Sequence, residues 1–245
     1  MTRRVRGGAR SILLIGLCAV LTVVFLSLGA WQVQRRAWKL DLIARVEQRI
    51  HAAPVPAPGP DAWTMISRDA DVYRRVQLAG VYDHSRETLV QAVTEKGPGF
   101  WVMTPLKTDH GFTVLVNRGF VSNERKLPAS RETGQIAGPV SVVGLLRLTE
   151  PHGGFLRANQ PSTARWYSRD VQAIAAARDL SDAAPYFVDA DAMPNPGGWP
   201  LGGLTVVRFP NSHLTYALTW FTLALLTGGA GVYVWRDARR EDSPA

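Results

Sequence analysis

The chain has 245 residues, a formal net charge of +8 and a pI near 10.1. Such a basic balance can indicate nucleic-acid binding, so the position of the charges matters. Residues 51–213 carry 16 Lys and Arg against 15 Asp and Glu, and the remaining excess of +7 flanks two apolar segments. This distribution favours membrane lipid as a partner and excludes nucleic acid. Because the single cysteine, Cys18, lies in the first apolar segment, no disulfide or cysteine metal site is expected elsewhere.

The two apolar segments, one near each end, predict a protein that crosses a membrane twice. Ser11–Val33 has about 23 residues and Leu214–Val234 about 21, and a helix of that length spans a hydrocarbon core of about 30 Å. A signal peptide is the alternative for the first segment, because arginines precede it. Its apolar run exceeds the roughly 7 to 15 residues of a signal core, which favours an uncleaved anchor.

Charges beside the second span predict the orientation. Arg236, Arg239 and Arg240 follow it, whereas only Arg208 precedes it closely. The positive-inside rule therefore places the C-terminus in the cytoplasm, although the first span is ambiguous by charge. Two crossings put both termini on one side, so the middle of the chain is expected to be extracytoplasmic.

The pattern along the chain predicts its organisation. Beyond the first span, apolar residues recur every four positions and extend the helix, and alternate prolines then indicate an extended linker. The predicted order is a cytoplasmic N-terminus 1–10, a transmembrane helix 11–33, a helical extension 34–53, a Pro-rich linker 54–71, an extracytoplasmic β-rich domain 72–210, a transmembrane helix 211–235 and a cytoplasmic tail 236–245.

The middle of the chain is predicted to be mostly strands. From Val72 the hydrophobic period shifts toward two, and a tight hairpin joins FWVMTPLK to GFTVLVNRGFV. Short connections favour an antiparallel sheet or partly open barrel. Ser168 is predicted to cap one short helix, and PYFVDAD and GLTVVRF to form the last strands. The fold class is therefore an α+β membrane protein, with this domain between two transmembrane helices.

No catalytic residue is predicted, because no nucleophile with a base, paired carboxylates or metal cluster stands at a recognisable spacing. His213 differs from the other histidines, since it opens the second span with Tyr216 and Trp220 on its helical face. An imidazole there can ligate haem iron, or it can be an interfacial histidine bonded to backbone or water.

The outer end of the first span offers a second group of candidates. Arg35 and Arg36 can pair with carboxylates such as haem propionates, and Trp31 lies beside them. The alternative is a Trp and Arg anchor at the membrane interface. Gly29 is expected to let a neighbouring helix approach closely.

Five motifs resemble the surfeit locus protein 1 family in their order and approximate spacing. They are LGAWQVQRRAWK, VLVNRGFV, VVGLLR, PYFVDAD and HLTYALTWF. The resemblance covers most of Leu28–Leu225. This family comprises assembly factors of cytochrome c oxidase. Its NRG motif, Asn117 to Gly119 here, carries no known chemistry and is interpreted as a structural turn or a partner surface.

The resemblance implies a two-span protein of the bacterial or mitochondrial inner membrane that assists insertion or retention of haem A in the large oxidase subunit. It implies transient haem A binding, with His213 as ligand to the iron. The candidate cofactor-binding residues are His213, Tyr216, Trp220, Trp31, Arg35 and Arg36. Implied partners are the large oxidase subunit and haem A synthase. A haem-free scaffold that stabilises an oxidase assembly intermediate is the alternative.

Overall fold

The structure is a computed structural model that describes residues 3–154, 156–205, 207 and 209–242, without the side chains of 3–8 and 241–242. The chain divides into two compact units. The helical unit comprises Met1–Arg45 and Arg208–Ala245, and the barrel unit comprises Val46–Val207. The elements in chain order are α1 (Arg3–His51), β1 (Val55–Pro56), α2 (Arg68–Asp71), β2 (Arg75–Tyr82), β3 (Thr88–Thr94), β4 (Gly97–Thr108), β5 (Thr113–Ser122), β6 (Pro139–Leu148), α3 (Val171–Ala177), β7 (Ala183–Ala190) and α4 (His213–Asp242).

The two long helices bear out the predicted fold class. Ala9–His51 and His213–Arg240 are long and apolar enough to cross a membrane, by length and composition. In the sequence, they flank the sheet domain. This domain also contains the short helix α3. The chain is thus an α+β membrane protein. α1 continues without a break from the apolar segment to His51.

The strands of the barrel unit close into a ring. β2, β6, β7, β5 and β4 pair in that order, and Gly80–Tyr82 of β2 pair again with Leu106–Thr108 of β4. β3 extends the sheet beside β4, and β1 lies beside β2. The pairs β5–β7 and β1–β2 are parallel. The prediction of a β-rich domain is therefore confirmed. The barrel is closed instead of partly open, and its sheet contains parallel as well as antiparallel strand pairs. A period of two reports which face of a strand is buried and not the direction of its neighbours.

Two apolar clusters cover the opposite faces of β5, which explains why this strand is buried almost throughout. Val114 and Val116 belong to the cluster of the barrel interior. Leu115 points the other way, into a cluster with Trp166 and Ile174 of the α3 region. Successive side chains of a strand alternate between faces, so a strand covered on both sides is apolar at nearly every position.

The segment 54–71, predicted as an extended linker, packs on the barrel instead. Val55 pairs in β1, and Trp63 and Ile66 pack against the interior cluster. The Trp63 ring meets Phe112 edge-on at 5.9 Å. The prolines do prevent a long helix, but the apolar residues between them still gain by leaving water.

Two further predictions of local structure are corrected. α3 is capped by Asp170, whose carboxylate accepts from Ala173 N at 3.1 Å, and not by Ser168. In the predicted strand GLTVVRF, the described residues 203–205, 207 and 209 are not in a strand, and Val206 and Arg208 lie outside the described residues. Its start is occupied by Gly203, whose φ of +72° is outside the strand region.

Candidate functional site

The helices α1 and α4 pack against each other within the helical unit. His213 Nδ1 lies 2.7 Å from Gln32 Oε1, and the hydroxyls of Thr22 and Thr227 are 3.0 Å apart. Trp220 stacks on Phe25 with ring centroids 5.7 Å apart. Residues later in α1 contact residues earlier in α4, so the two helices run antiparallel.

A glycine permits the close approach of this pair, as the sequence predicts. A Cβ at Gly29 would lie 2.5 Å from the ring of Phe221. Ala217 and Ala224 on α4 are almost fully buried. Small residues at such positions let helix backbones come near enough for dispersion contacts along their length.

The contact between His213 and Gln32 fixes the chemistry of the imidazole. An amide oxygen can only accept a hydrogen bond, so Nδ1 is the donor to Gln32 Oε1, and in a neutral imidazole the lone pair then lies on Nε2. This is the tautomer of a metal-ligating histidine whose second nitrogen is held by an outer partner. Gln32 is buried, whereas His213 is half-buried. The contact with Gln32 therefore occupies Nδ1 and not Nε2.

The other predicted residues do not form one buried cluster with His213. Trp220 faces α1 through Phe25, but Tyr216 and Trp31 are 55% and 53% exposed. The Arg35 guanidinium lies 4.2 Å above the Trp38 ring, and Arg36 is half-buried. Exposed aromatic rings on such helices meet either lipid or a bound apolar molecule.

A buried polar network in the barrel unit joins three of the five motifs. Asp189, 2% exposed, accepts from Asn117 Nδ2 at 2.7 Å, Arg147 Nη1 at 2.8 Å and Thr205 Oγ1 at 3.0 Å. Arg169 Nη1 completes the set at 3.1 Å. The motifs VLVNRGFV, VVGLLR and PYFVDAD therefore meet at one carboxylate.

Two arginines and two carboxylates balance the charge of this network. Glu150 accepts two hydrogen bonds from the guanidinium of Arg169, from Nη2 at 2.6 Å and from Nε at 3.0 Å. Burial raises the pKa of Glu150, but the hydrogen bond and charge of Arg169 outweigh it and leave the pKa below its usual value. Burial lowers the pKa of Arg169, and the charge of Asp189 turns the net shift upward. The sequence did offer a signal, because Arg147 and Asp189 are opposite charges inside apolar strands.

The NRG motif is neither a turn nor an exposed surface. It lies within β5 at a bulge, where Arg118 and Gly119 together oppose the single residue Val102 of β4. Gly119 has a φ of +128°, and a Cβ there would lie 2.0 Å from Leu201 O. Such a position admits only glycine. Asn117 Oδ1 also accepts from Gly119 N at 3.1 Å, so the motif holds the bulge and the network together.

The fold, the His213–Gln32 contact and the Asp189 network define a class of protein. It is a small closed β-barrel with a candidate membrane span before it and another after it in the sequence. Comparison with known proteins identifies the family. The SURF1 family matches residues 19–225. The chain is 40% identical over 233 residues to the human Surfeit locus protein 1, covering 88% of this chain and 74% of the human protein. A SURF1-like protein of Monosiga brevicollis is 34% identical over 231 residues, covering 87% and 84%. The chain belongs to the SURF1 family, as its five motifs indicated, a family of cytochrome c oxidase assembly factors.

Proposed function

We propose that the protein binds haem A through His213 and assists its insertion or retention in the large subunit of cytochrome c oxidase. The observation that carries the proposal is the hydrogen bond between His213 Nδ1 and Gln32 Oε1, which leaves Nε2 with a free lone pair. A histidine held in this way would suit a ligand of haem iron. The proposal assigns no catalysed reaction to the chain.

The surroundings of His213 fit a large, flat, partly apolar cofactor. Tyr216 and Trp31 present exposed aromatic rings, and Trp220 lies against α1. Arg35 and Arg36, one helical turn after Gln32 in α1, would supply positive charge for the propionates. When bound, haem A supplies the redox group that the oxidase requires, and this chain contributes a ligand, apolar contacts and charge. Such a site suits transient holding, because half of its predicted residues are open to the surroundings.

The proposed location is the inner membrane, with both termini in the cytoplasm and the barrel unit outside. Arg236, Arg239 and Arg240, at the C-terminal end of α4, support this orientation. Alkaline phosphatase fused after Pro151 should then be active and a fusion after Ala245 inactive, and the reverse pattern would overturn the orientation. The proposed partners are the large oxidase subunit and haem A synthase.

Haem content tests the proposal. The chain is purified from cells that make haem A and from matched cells that lack haem A synthase, and the pigment is extracted and identified. Haem A should accompany the protein only from the first cells. A protein that supports oxidase assembly yet always purifies without haem would refute haem binding and favour the haem-free scaffold.

A further inference from the structure

A cavity of about 210 Å³ in the barrel unit lies beside the β5 bulge. Its walls are mostly apolar, and one guanidinium lies among them. The lining includes Tyr82, Arg118, Ile136, Val140, Val142 and Met193. For comparison, an engineered apolar cavity of about 150 Å³ takes up benzene. The space is therefore sufficient for one aromatic ring with a small polar group.

Arg118, which lines this cavity, has unused hydrogen-bonding capacity. Its Nη2 donates to Gly134 O at 2.5 Å and to Asn195 Oδ1 at 2.8 Å. Its Nε and Nη1 are buried and have no hydrogen-bond partner among the described residues. The side chain is 2% exposed, so these donors cannot be satisfied by bulk water.

The guanidinium carbon of Arg118 lies 4.8 Å from the centroid of the Tyr82 ring, but its charge has no carboxylate partner in the described ranges. Within the part of the chain that the structure describes, no carboxylate forms an ion pair with it. Glu87 is held by Arg131 through two hydrogen bonds, and Asp191, which also lines the cavity, is 2.8 Å from Arg75. Burial lowers the pKa of Arg118, yet a guanidinium remains charged in a protein. A buried, charged and partly unbonded group calls for an anion.

We propose that this cavity binds an organic carboxylate with a small apolar body. The carboxylate lies beside the guanidinium of Arg118, and the body contacts Ile136, Val140 and Val142. A monoanion matches one unpaired charge, whereas a dianionic phosphate would bring surplus charge toward Asp191. The carboxylate comes either from a free small acid or from the C-terminus of a protein chain, which share this chemistry.

Calorimetric titration of the full-length chain in detergent micelles tests the proposal, with benzoate as the probe. Benzoate should bind, and benzamide, which has the same shape without the charge, should bind at least about tenfold more weakly. Arg118→Gln should reduce benzoate affinity by at least about tenfold as well. Arg68→Gln, the same change at an exposed arginine of α2, should leave it unchanged.

A second variant keeps the test decisive if Arg118→Gln does not fold. Ile136→Trp fills the cavity from a loop and keeps the guanidinium, so it should also abolish benzoate binding. A tripeptide, acetyl-Ala-Ala-Val with a free C-terminus, and its C-terminal amide distinguish the two sources. Tighter binding of the free tripeptide than of benzoate assigns the site to a protein C-terminus, and the reverse assigns it to a small acid. The proposal is wrong if neither anion binds, or if benzoate binds equally to the parent and to Ile136→Trp.

Discussion

Asp189 receives four hydrogen bonds from four different side chains, and two of these are arginines, Arg147 of β6 and Arg169 of the loop before α3. A buried carboxylate of this kind holds its partners in place more than it adds net stability, because desolvation offsets much of the attraction. Its loss is nevertheless costly, since Arg147 and Arg169 would then share only Glu150.

Asp189→Asn should therefore destabilise the protein by about 3–5 kcal/mol, since it removes one partner of a buried ion-pair network. This corresponds to a fall in Tm of about 6–20 °C for a chain of this size. Thermal unfolding in micelles, followed by circular dichroism, gives the measurement. Asp182→Asn makes the same change at an exposed aspartate and should have little effect. Equal Tm values for the two variants would contradict the role given to the network.

His84 provides a pH-dependent contribution to stability. Its Nε2 donates to Ile136 O at 3.0 Å, its Nδ1 is buried without a partner, and burial lowers its pKa below the ordinary value of about 6.5. A lowered pKa means that protonation favours the unfolded state. The contribution of neutral His84 is thus present above about pH 6.5 and is lost as the pH falls toward the folded-state pKa.

The expected result is a Tm that falls between pH 7.5 and 5.5, and falls less in His84→Gln, whose amide can still donate to Ile136 O. Glu150 does not interfere in this window. Its lowered pKa implies a stability loss only as the pH falls below about 4.3. Parallel pH profiles of the parent and His84→Gln would show that His84 does not titrate as described.

At the scale of elements, the antiparallel pairing of α1 and α4 places Thr22 opposite Thr227. In a variant with Cys18→Ser, Thr22→Cys and Thr227→Cys, the two thiols should form a disulfide on mild oxidation, because hydroxyls 3.0 Å apart put the Cβ atoms within reach. Protease cleavage in the barrel unit followed by electrophoresis with and without reductant detects the crosslink. Thr222→Cys in place of Thr227→Cys should not crosslink, since Thr222 is exposed and bonds to Leu218 O of its own helix. Crosslinking of the second variant alone would show that the helices pack on other faces.

The strands illustrate what the sequence can and cannot predict. The β4–β5 hairpin follows from two alternating segments joined by a short turn, and it is confirmed. Closure of the barrel depends on pairing between strands that are not consecutive in the sequence. The alternation of apolar and polar residues within each strand therefore does not predict it. Gly80 marks the closure, because a Cβ there would lie 2.1 Å from Lys107 O of β4. A glycine inside a strand indicates close approach of another backbone but does not identify which one.

The polar network was missed for a related reason. Charges inside an apolar strand indicate a buried ion pair, but the sequence does not show which partners meet. Asn117, Arg147 and Asp189 come from three strands that are neighbours only in the folded barrel. His213 was chosen as a candidate because it stands alone at the start of an apolar span, and its role stays a prediction. Its partner Gln32, 181 positions away, was not predicted.

At the scale of the whole molecule, the barrel unit is expected to fold without the helical unit. It contains its own closed sheet and both apolar clusters. A fragment of residues 46–207 should unfold cooperatively and give a strand-dominated circular dichroism spectrum. A fragment of residues 72–207 should be markedly less stable, because it lacks Val55, Trp63 and Ile66 of the barrel core. A coil-like spectrum for the longer fragment would contradict this division of the chain.

The central claim is that His213 holds haem A, and the absorption spectrum of the purified protein tests it most directly. The parent and His213→Ala are purified from cells that make haem A, with His152→Ala as a control in a loop of the barrel unit. Alanine suits a helix, so membrane insertion should be retained. The account predicts that His213→Ala alone loses the haem or shifts its spectrum, because the substitution removes the proposed iron ligand. Unchanged haem content and an unchanged spectrum in His213→Ala would contradict it.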